Sequence, residues 1–567
     1  MYILGLWDGH DSGAALIKNN KIIYAANEER FTKRKLEIKF PYNSINAALK
    51  FEGIKPSDVK TIAFPTLELT KTISRVFPSQ KEYYYKFRRR KIPKPRFETL
   101  MYYQKYAMTS IGVLPLCSQI SRYEISKKLK EMGFVNFKLY GIDHHKAHAA
   151  TAAFTSGFKK QLVVTLDGVG DGLCSSVSTF ENNNLEIKKT IPARNSIGIF
   201  YEQITNILGM RELEDEGKIM AMADYSYPFP FKENKLKELF EVNKTDIKAR
   251  FGPIKQYKIL SDIAWNTPRE QLAYMAQQLL EEVLVKYFSN LNEEYGYEYI
   301  STSGGTMSNV KANMRIREET GIKDMYIFPH MGDGGIALGA AMCVNYELNQ
   351  ISSYDFDNAY LGNEYDDEYI RTELKKYKQF DFELDKNKSK HAAELISKDN
   401  YLFWFQGRME YGPRALGNRS IIAKPSSDTV KDRLNLFVKK REWFQPFAPS
   451  ILEEERDRIL QNARGKYNKF MTTAYKVKKE FEENMKSVVH VDMTARPQMV
   501  GSENKSYMEL LKYIKKLEGL GVVLNTSLNI HGMPIAMEPK DIIYAAIDTK
   551  TRYLFIGNYF VENKKYI

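Results

Sequence analysis

Short apolar runs broken by aspartate–glycine turns set the rhythm of the first half of the chain. Tyr2 to Trp7 reads as an apolar strand ending at Asp8-Gly9-His10-Asp11-Ser12-Gly13. A second strand, Ala14 to Ile17, turns at Asn19-Asn20 into a third, Ile22 to Ala26, with Gly and Asn where positive φ is needed. The series recurs: a strand from Leu162 to Leu166, the turn Asp167-Gly168-Val169-Gly170-Asp171-Gly172, a strand from Ser175, and a turn at Asn182-Asn183-Asn184. A unit that occurs twice predicts a duplicated α/β domain, and two such backbone turns can hold nucleotide phosphates from opposite sides. Farther on, Glu216 to Ala223 reads as a small-residue helix and Gln271 to Tyr287 as an amphipathic one. Tyr299 to Ser303 is a strand running into Gly304-Gly305, with Asn309 one helical turn on. Glycines there let backbone approach a nucleoside closely. Phe328 to Gly335 leads into a small-residue helix over Ala337 to Ala341.

The pattern changes near residue 350. From Asn349 to Tyr369 the text is acidic, aromatic and aperiodic, and Lys375 to Lys390 is lysine-rich. This predicts one domain over 1–350 and a second over 351–567, with a connector over about 351–390. Tyr401 to Phe405 is a buried strand that delivers a Gly/Pro-rich turn carrying Arg408, Arg414 and Arg419. Arginines on such a turn suit a bidentate grip on phosphate or carboxylate. Lys439, Arg441 and Arg496 add cations beside apolar runs, and Val522 to Asn529 is a strand ending in the donors Asn525 and Ser527.

At 567 residues the chain holds two domains or more, and 43% hydrophobic with 27% charged residues is ordinary for a soluble protein. Cys117, Cys174 and Cys343 are too dispersed for a disulfide framework or a zinc site, which fits a reducing compartment. The N-terminus lacks a signal peptide's basic region and long apolar core, and no apolar run approaches membrane-spanning length. A cytoplasmic protein without a membrane partner is expected. The net charge of +14 favours anionic partners, phosphates and nucleotides as well as nucleic acid. Tyr83 to Phe97, inside a basic insertion over about residues 65–125, interleaves aromatics with cations. It reads either as a face that stacks on and neutralises a polyanion or as a solvated basic surface.

Of eight histidines, three fall between Asp143 and Ala150. Asp143 is a good N-cap for the Ala-rich helix that follows, on which His144 and His148 sit at i and i+4 and face the same way. Two imidazoles so placed either chelate a divalent metal or pack a helix face. Asp333, in a glycine turn at a helix start, is either an N-cap or a third ligand; together the three make a facial set. His10, in the first turn, is then a candidate for proton abstraction.

Gly9-His10-Asp11-Ser12-Gly13-Ala14-Ala15, His144 with His148, Asp167 to Asp171, Gly304-Gly305 and Gly332 to Gly335 resemble the N-terminal domain of NodU/CmcH-type O-carbamoyltransferases. That domain is related to the tRNA threonylcarbamoyl transferase. The stretches around Arg414, Lys439, Arg496 and Asn525 resemble the same family's C-terminal YrdC-like domain. The resemblance spans Tyr2 to Phe560 except for the insertion and connector; Gln445 stands where many members carry Arg, and Met493 replaces a common glycine. It implies an α/β fold of a duplicated actin/sugar-kinase/Hsp70-like (ASKHA) domain plus a YrdC-like α/β domain. It also implies formation of carbamoyl adenylate from carbamoyl phosphate and ATP, the latter with Mg2+, then transfer to an acceptor hydroxyl on a small metabolite, sugar or natural product. In this scheme Arg414, Arg419, Lys439, Arg441 and Arg496 neutralise the anions while Asn525 and Ser527 orient the carbamoyl group. His144, His148 and Asp333 hold a metal, with Fe2+ expected and Zn2+ or Mn2+ compatible. Lys35, Asp167, Gly168, Gly170, Asp171, Gly304, Gly305 and Asn309 hold the nucleotide, and His10 deprotonates the acceptor. A homodimer is compatible with the reading. The alternatives are carbamoylation or threonylcarbamoyl-type modification of a nucleoside in tRNA or DNA, and a basic RNA-binding protein with a nucleotide-sensing module. A sugar kinase leaves the histidine pair without a purpose.

Overall fold

The repeat of turns is a repeat of whole sheets. In the computed structural model, which describes all residues except 94–99, 102, 103, 105, 106, 109, 110, 464, 466, 467 and 567, the first sheet begins with three strands. Tyr2–Trp7, Gly13–Lys18 and Lys21–Asn27 pair antiparallel in succession, Thr61–Pro65 joins the first in parallel, and Lys138–Ile142 joins that strand in parallel. The second sheet repeats this order. Gln161–Gly170, Leu173–Glu181 and Asn184–Pro192 pair antiparallel, Tyr299–Ser303 joins the first in parallel, and Asp324–Ile327 follows in parallel. Both sheets run third, second, first, fourth, fifth strand, which is the duplicated ASKHA layout expected from the turns.

One local expectation changes. Asp167 to Gly170 belongs to the end of a strand, with an irregularity in pairing between Leu166 and Gly170, and only Asp171-Gly172 forms the turn. An irregularity of this kind bends a strand and re-aims its side chains.

The helix His144–Thr155 leaves the last strand of the first sheet, and the Asp143 carboxylate accepts the N–H of Lys146 at 2.8 Å as its N-cap. Its alanines are buried because the small-residue helix Ile336–Asn349 packs against it and against Tyr2–Trp7. The amphipathic segment around Gln271 is a helix over Arg269–Tyr295, stopped by Gly296 in the left-handed region.

The chain divides into two compact units, Met1–Glu28 with Ile38–Phe356, and Glu29–Glu37 with Asp357–Ile567. The break at Phe356 lies close to the expected boundary. The short return of Glu29–Glu37 to the second unit is new: Arg30 donates to the Gly412 carbonyl at 2.7 Å, and Lys33 pairs with Asp541 at 2.5 Å.

The second unit is built on an eight-stranded sheet. Its strands in spatial order are Phe380–Leu384, Tyr559–Asn563, Tyr553–Ile556, Leu402–Phe405, Arg419–Ala423, Val522–Ser527, Ala448–Leu452 and Gln498–Val500. Along Leu402–Phe405 the side chains alternate between two cores: Leu402 and Trp404 pack with Leu510 and Ile514, Phe403 and Phe405 with Ile542 and Ile543. Covering both faces makes the run continuously apolar, which is why Tyr401 to Phe405 reads as buried. Truncating Trp404 to alanine would cost about 3–5 kcal/mol.

Candidate metal and anion sites

His144 and His148 face one way from their helix, as the i, i+4 spacing predicts, and both are buried. The Nε2 atoms of both lie 3.6 Å from Asp333 Oδ1, and His144 Nε2 lies 3.4 Å from Asp167 Oδ2. Neither Nε2 has a hydrogen-bond partner. Four donor atoms, one from each of these residues, lie within 4.8 Å of one another. Donors about 2.1 Å from one cation at tetrahedral angles would be ~3.4 Å apart, so the residues present fit a transition-metal ion. Asp333 is not a helix cap: its turn Asp333–Gly335 makes no side-chain cap bond, and the following helix starts from Gly335.

The electrostatics agree with that geometry. Burial alone would push the His144 imidazole down, but Asp333 and Asp167 beside it raise it to about 10. Burial would push both carboxylates up, yet the imidazoles hold Asp167 and Asp333 below the usual range. The cluster is primed for positive charge. His10 sits at its edge, with Nδ1 3.5 Å from the other oxygen of Asp333. Burial lowers its imidazole to about 4, Arg89 and Arg88 reinforcing this against the pull of Asp333, so the ring is neutral at pH 7.

Several residues expected at the nucleotide have other work. Asp167 joins the histidines, with its second oxygen accepting the N–H of Gly305 at 2.7 Å. Gly170 makes room for the metal helix, since a side chain there would fall inside the His144 imidazole. Asp171 is consumed by backbone: one oxygen accepts the N–H groups of Leu67 and Glu68, the other that of His144. Asn309 caps the helix Val310–Glu319 and exchanges hydrogen bonds with Gln277. Lys35 lies in the second unit, close enough to Lys439 to depress it. Of the three expected glycines only Gly168 has an open surround: Gly304 is buried with its N–H on the Met331 carbonyl at 2.7 Å, and the Gly305 N–H is taken by Asp167. Gly168 has open space where a side chain would point, and Gly304, at φ +109° against the Leu166 carbonyl, admits no other residue.

The described part of the basic insertion, which includes the helices Leu69–Val76 and Pro78–Arg88, has both buried and exposed cations, Lys86, Arg90 and Lys91 being the exposed ones. Arg75 and Lys71 pair with Asp8, Arg88 pairs with Glu202 and Glu212, and Arg89 faces Glu214. These four cationic side chains are 8% exposed or less, so they neutralise internal carboxylates rather than a bound polyanion. Lys94 to Phe97, the remainder of the aromatic-basic run, lie outside the described residues.

In the second unit the sign reverses. Burial depresses Arg414 and Arg441 to about 10, and Arg496 is held well below the usual value by burial and then by the charges of Arg414 and Arg441. Among the described residues neither Arg414 nor Arg496 has a carboxylate partner, and Arg496 Nε is buried without a hydrogen bond. Lys439 donates to the Ser527 carbonyl and, at 2.8 Å, to Asn529 Oδ1; burial, Arg441 and Lys35 depress it. Asn525 and Ser527 sit two apart on one strand and so share a face, with Asn525 Oδ1 buried and unpartnered. Arg419 departs from expectation. It stacks 3.7 Å over Phe405 and donates through its two terminal nitrogens to the carbonyls of Gln406, Gly407, Asn418 and Asn363, so it braces the loop.

Sequence reasoning missed Asp8, whose carboxylate takes Arg75 and Lys71, and the hydroxyls of Thr66 and Ser303 that bond His144 and His148. Asp8 had a signal: it holds the place in the first repeat that Asp167 holds in the second. Thr66 and Ser303 had none.

Comparison with known proteins supplies the rest. A family model described as Carbamoyltransferase N-terminus matches residues 2–342, and one described as Carbamoyltransferase C-terminus matches residues 393–563. The uncharacterized protein MJ1051 of Methanocaldococcus jannaschii is 32% identical over 99% of this chain and 100% of its own length. The nodulation protein NolNO of Sinorhizobium fredii is 29% identical over 98% of this chain and 79% of its own. Among solved structures, full-length HypF in a phosphate- and nucleotide-bound form aligns at 13% identity, over 62% of this chain and 56% of that one, with a TM-score of 0.32. No described helix is long and apolar enough to cross a membrane. With both family regions matched in order, one over the histidine–aspartate cluster and the other over the arginine cluster, the chain belongs to the carbamoyltransferase family.

Proposed function

We propose that this carbamoyltransferase is an ATP-dependent O-carbamoyltransferase that arms the carbamoyl group in its second unit and delivers it in its first. The observation that carries the reading is the gathering of Arg414, Arg441 and Arg496. Half-buried guanidiniums, two of which crowd the third at Arg496, are costly unless an anion joins them. Carbamoyl phosphate and the triphosphate of ATP, with its Mg2+, are anions of the required charge. In the first half-reaction carbamoyl phosphate, ATP and one water give carbamoyl adenylate, pyrophosphate and phosphate. Arg414, Arg441 and Arg496 bind the phosphoryl oxygens, Lys439 braces the Ser527 end of the strand, and Asn525 orients the carbamoyl group.

In the first unit the open backbone at Gly168 receives the nucleotide beside the Gly304-Gly305 turn. His144, His148, Asp167 and Asp333 would hold a divalent metal, Fe2+ by family resemblance and Zn2+ or Mn2+ by donor chemistry, which would polarise the carbamoyl oxygen as a Lewis acid. His10, neutral at pH 7, accepts the proton of the acceptor hydroxyl. A base near pKa 4 is modest, and an anionic nucleotide offsetting Arg88 and Arg89 would strengthen it. The internal pairing of Arg75, Arg88 and Arg89 favours a small hydroxylated acceptor over a nucleic acid.

The test is to follow pyrophosphate with purified protein and ATP. Release is expected only when carbamoyl phosphate is added, and an acceptor hydroxyl then gains the mass of one carbamoyl group. Release that ignores carbamoyl phosphate would refute the reading.

A further inference from the structure

Thr66 is held in a conformation that its side chain disfavours. Its φ is +69°, in the left-handed region, which a β-branched residue rarely adopts. Its surroundings over-determine it. The Thr66 N–H donates to the Ile142 carbonyl at 3.0 Å, and the Thr66 carbonyl accepts from Arg75 at 2.8 Å. The next two N–H groups donate to Asp171, whose other oxygen accepts from the N–H of His144. One carboxylate thus ties the segment after Thr66 to the first residue of the metal helix. The result is a contact of 2.9 Å between Thr66 Oγ1 and His144 Nδ1.

The partner histidine shows what such a contact does. His148 Nδ1 lies 3.0 Å from Ser303 Oγ, and Ser303 donates its own hydrogen to the Met331 carbonyl at 3.2 Å. With its hydrogen on the Met331 carbonyl, Ser303 is left to accept from His148. That puts the ring hydrogen on Nδ1 and the lone pair on Nε2, the side of Asp333. A metal-binding imidazole needs this arrangement, since the hydrogen bond at one nitrogen sets the tautomer and aim of the other.

We propose that Thr66 is a positioning residue for the metal centre, its hydroxyl accepting the Nδ1 hydrogen of His144 as Ser303 accepts that of His148. The strained backbone at the start of the insertion is retained because it delivers this hydroxyl; a glycine would fit the φ without strain but carries no oxygen. The inference rests on the metal reading above.

The experiment titrates Co2+ into metal-free full-length protein, reads binding from the visible absorption of the bound ion, and compares Thr66→Val, Thr66→Gly and Thr66→Ser. Val keeps the shape, Gly relieves the φ strain, and Ser keeps the hydroxyl. Thr66→Val and Thr66→Gly should bind Co2+ about tenfold to a hundredfold more weakly. Thr66→Ser should stay within about threefold of wild type, a rescue that a purely structural role for the methyl group would not give. The metal-free melting temperature of Thr66→Gly should not fall, so weaker binding there cannot be put down to unfolding. Equal Co2+ affinity in wild type, Thr66→Val and Thr66→Gly would overturn the inference while leaving the metal reading intact. Failure of the wild type itself to take up Co2+ would refute the metal reading, and the inference with it.

Discussion

The cluster around His144 and the cluster around Arg414 present opposite electrostatic problems. In the first unit two imidazoles and two carboxylates converge, with both Nε2 atoms buried and unpartnered. In the second, Arg414 and Arg441 crowd Arg496, and among the described residues neither Arg414 nor Arg496 has a carboxylate partner. One is a set of imidazoles and carboxylates suited to a cation, the other a set of cations suited to an anion. Neither arrangement serves the fold, because buried polar groups left unmatched destabilise it. The neighbours that do serve the fold look different. Arg419 and Asp171 resemble their functional neighbours in sequence, yet both carboxylate oxygens of Asp171 are taken up by backbone N–H groups and both terminal nitrogens of Arg419 by backbone carbonyls.

Gly170→Ala is the substitution expected to have the largest effect on one side of this comparison alone. Its Cβ would fall inside the His144 imidazole, so the ring must swing away from Asp333 and Asp167. Loss of one ligand should weaken metal uptake by about a hundredfold or more, measured as bound metal per chain after dialysis, with carbamoyl-phosphate-dependent pyrophosphate release unchanged. Parallel loss of both properties would break the separation between the two clusters.

A smaller effect is expected at Glu68, beside Asp171, His144 and Lys71. Burial, then the charge of Asp171, pushes its carboxyl up to about 7. A carboxyl raised in the folded state contributes stability that is complete below its unfolded value near 4.5 and is lost as pH rises through 7. Glu68→Gln cannot ionise, so its stability relative to wild type should grow between pH 5 and pH 8, by about 3 kcal/mol at most. Urea unfolding at the two pH values measures this; a difference independent of pH would show that Glu68 ionises freely in the folded protein.

How much of this was legible depends on whether the signal was local. The duplicated sheet could be read because each copy carries its own Asp-Gly and Asn-Asn turns, and the histidine pair because i, i+4 spacing fixes a shared face. The strand Leu402–Phe405 was legible from apolar content alone. Asp167 was placed at the nucleotide because its aim at His144 depends on the pairing irregularity after Leu166 and on Tyr299–Ser303 lying alongside. Lys35 was assigned to the first half because nothing local marks the return of Glu29–Glu37 to the second unit. Arg419 read as a ligand residue because the carbonyls that engage it come from the loop it braces, and a loop's closure is not written in spacing. Asn309 and Asp171 failed for a related reason: caps and backbone acceptors use the same residue types as binding sites.

The most direct test of two separate sites is a crossed pair of variants assayed for both half-reactions. Arg414→Ala should lower carbamoyl-phosphate-dependent pyrophosphate release by about a hundredfold or more, while its metal content stays that of wild type. His144→Ala should lose its metal and its transfer to acceptor while still releasing pyrophosphate. If His144→Ala, folded by circular dichroism, lost pyrophosphate release as completely as Arg414→Ala, a single shared centre would be in operation and the account would be contradicted.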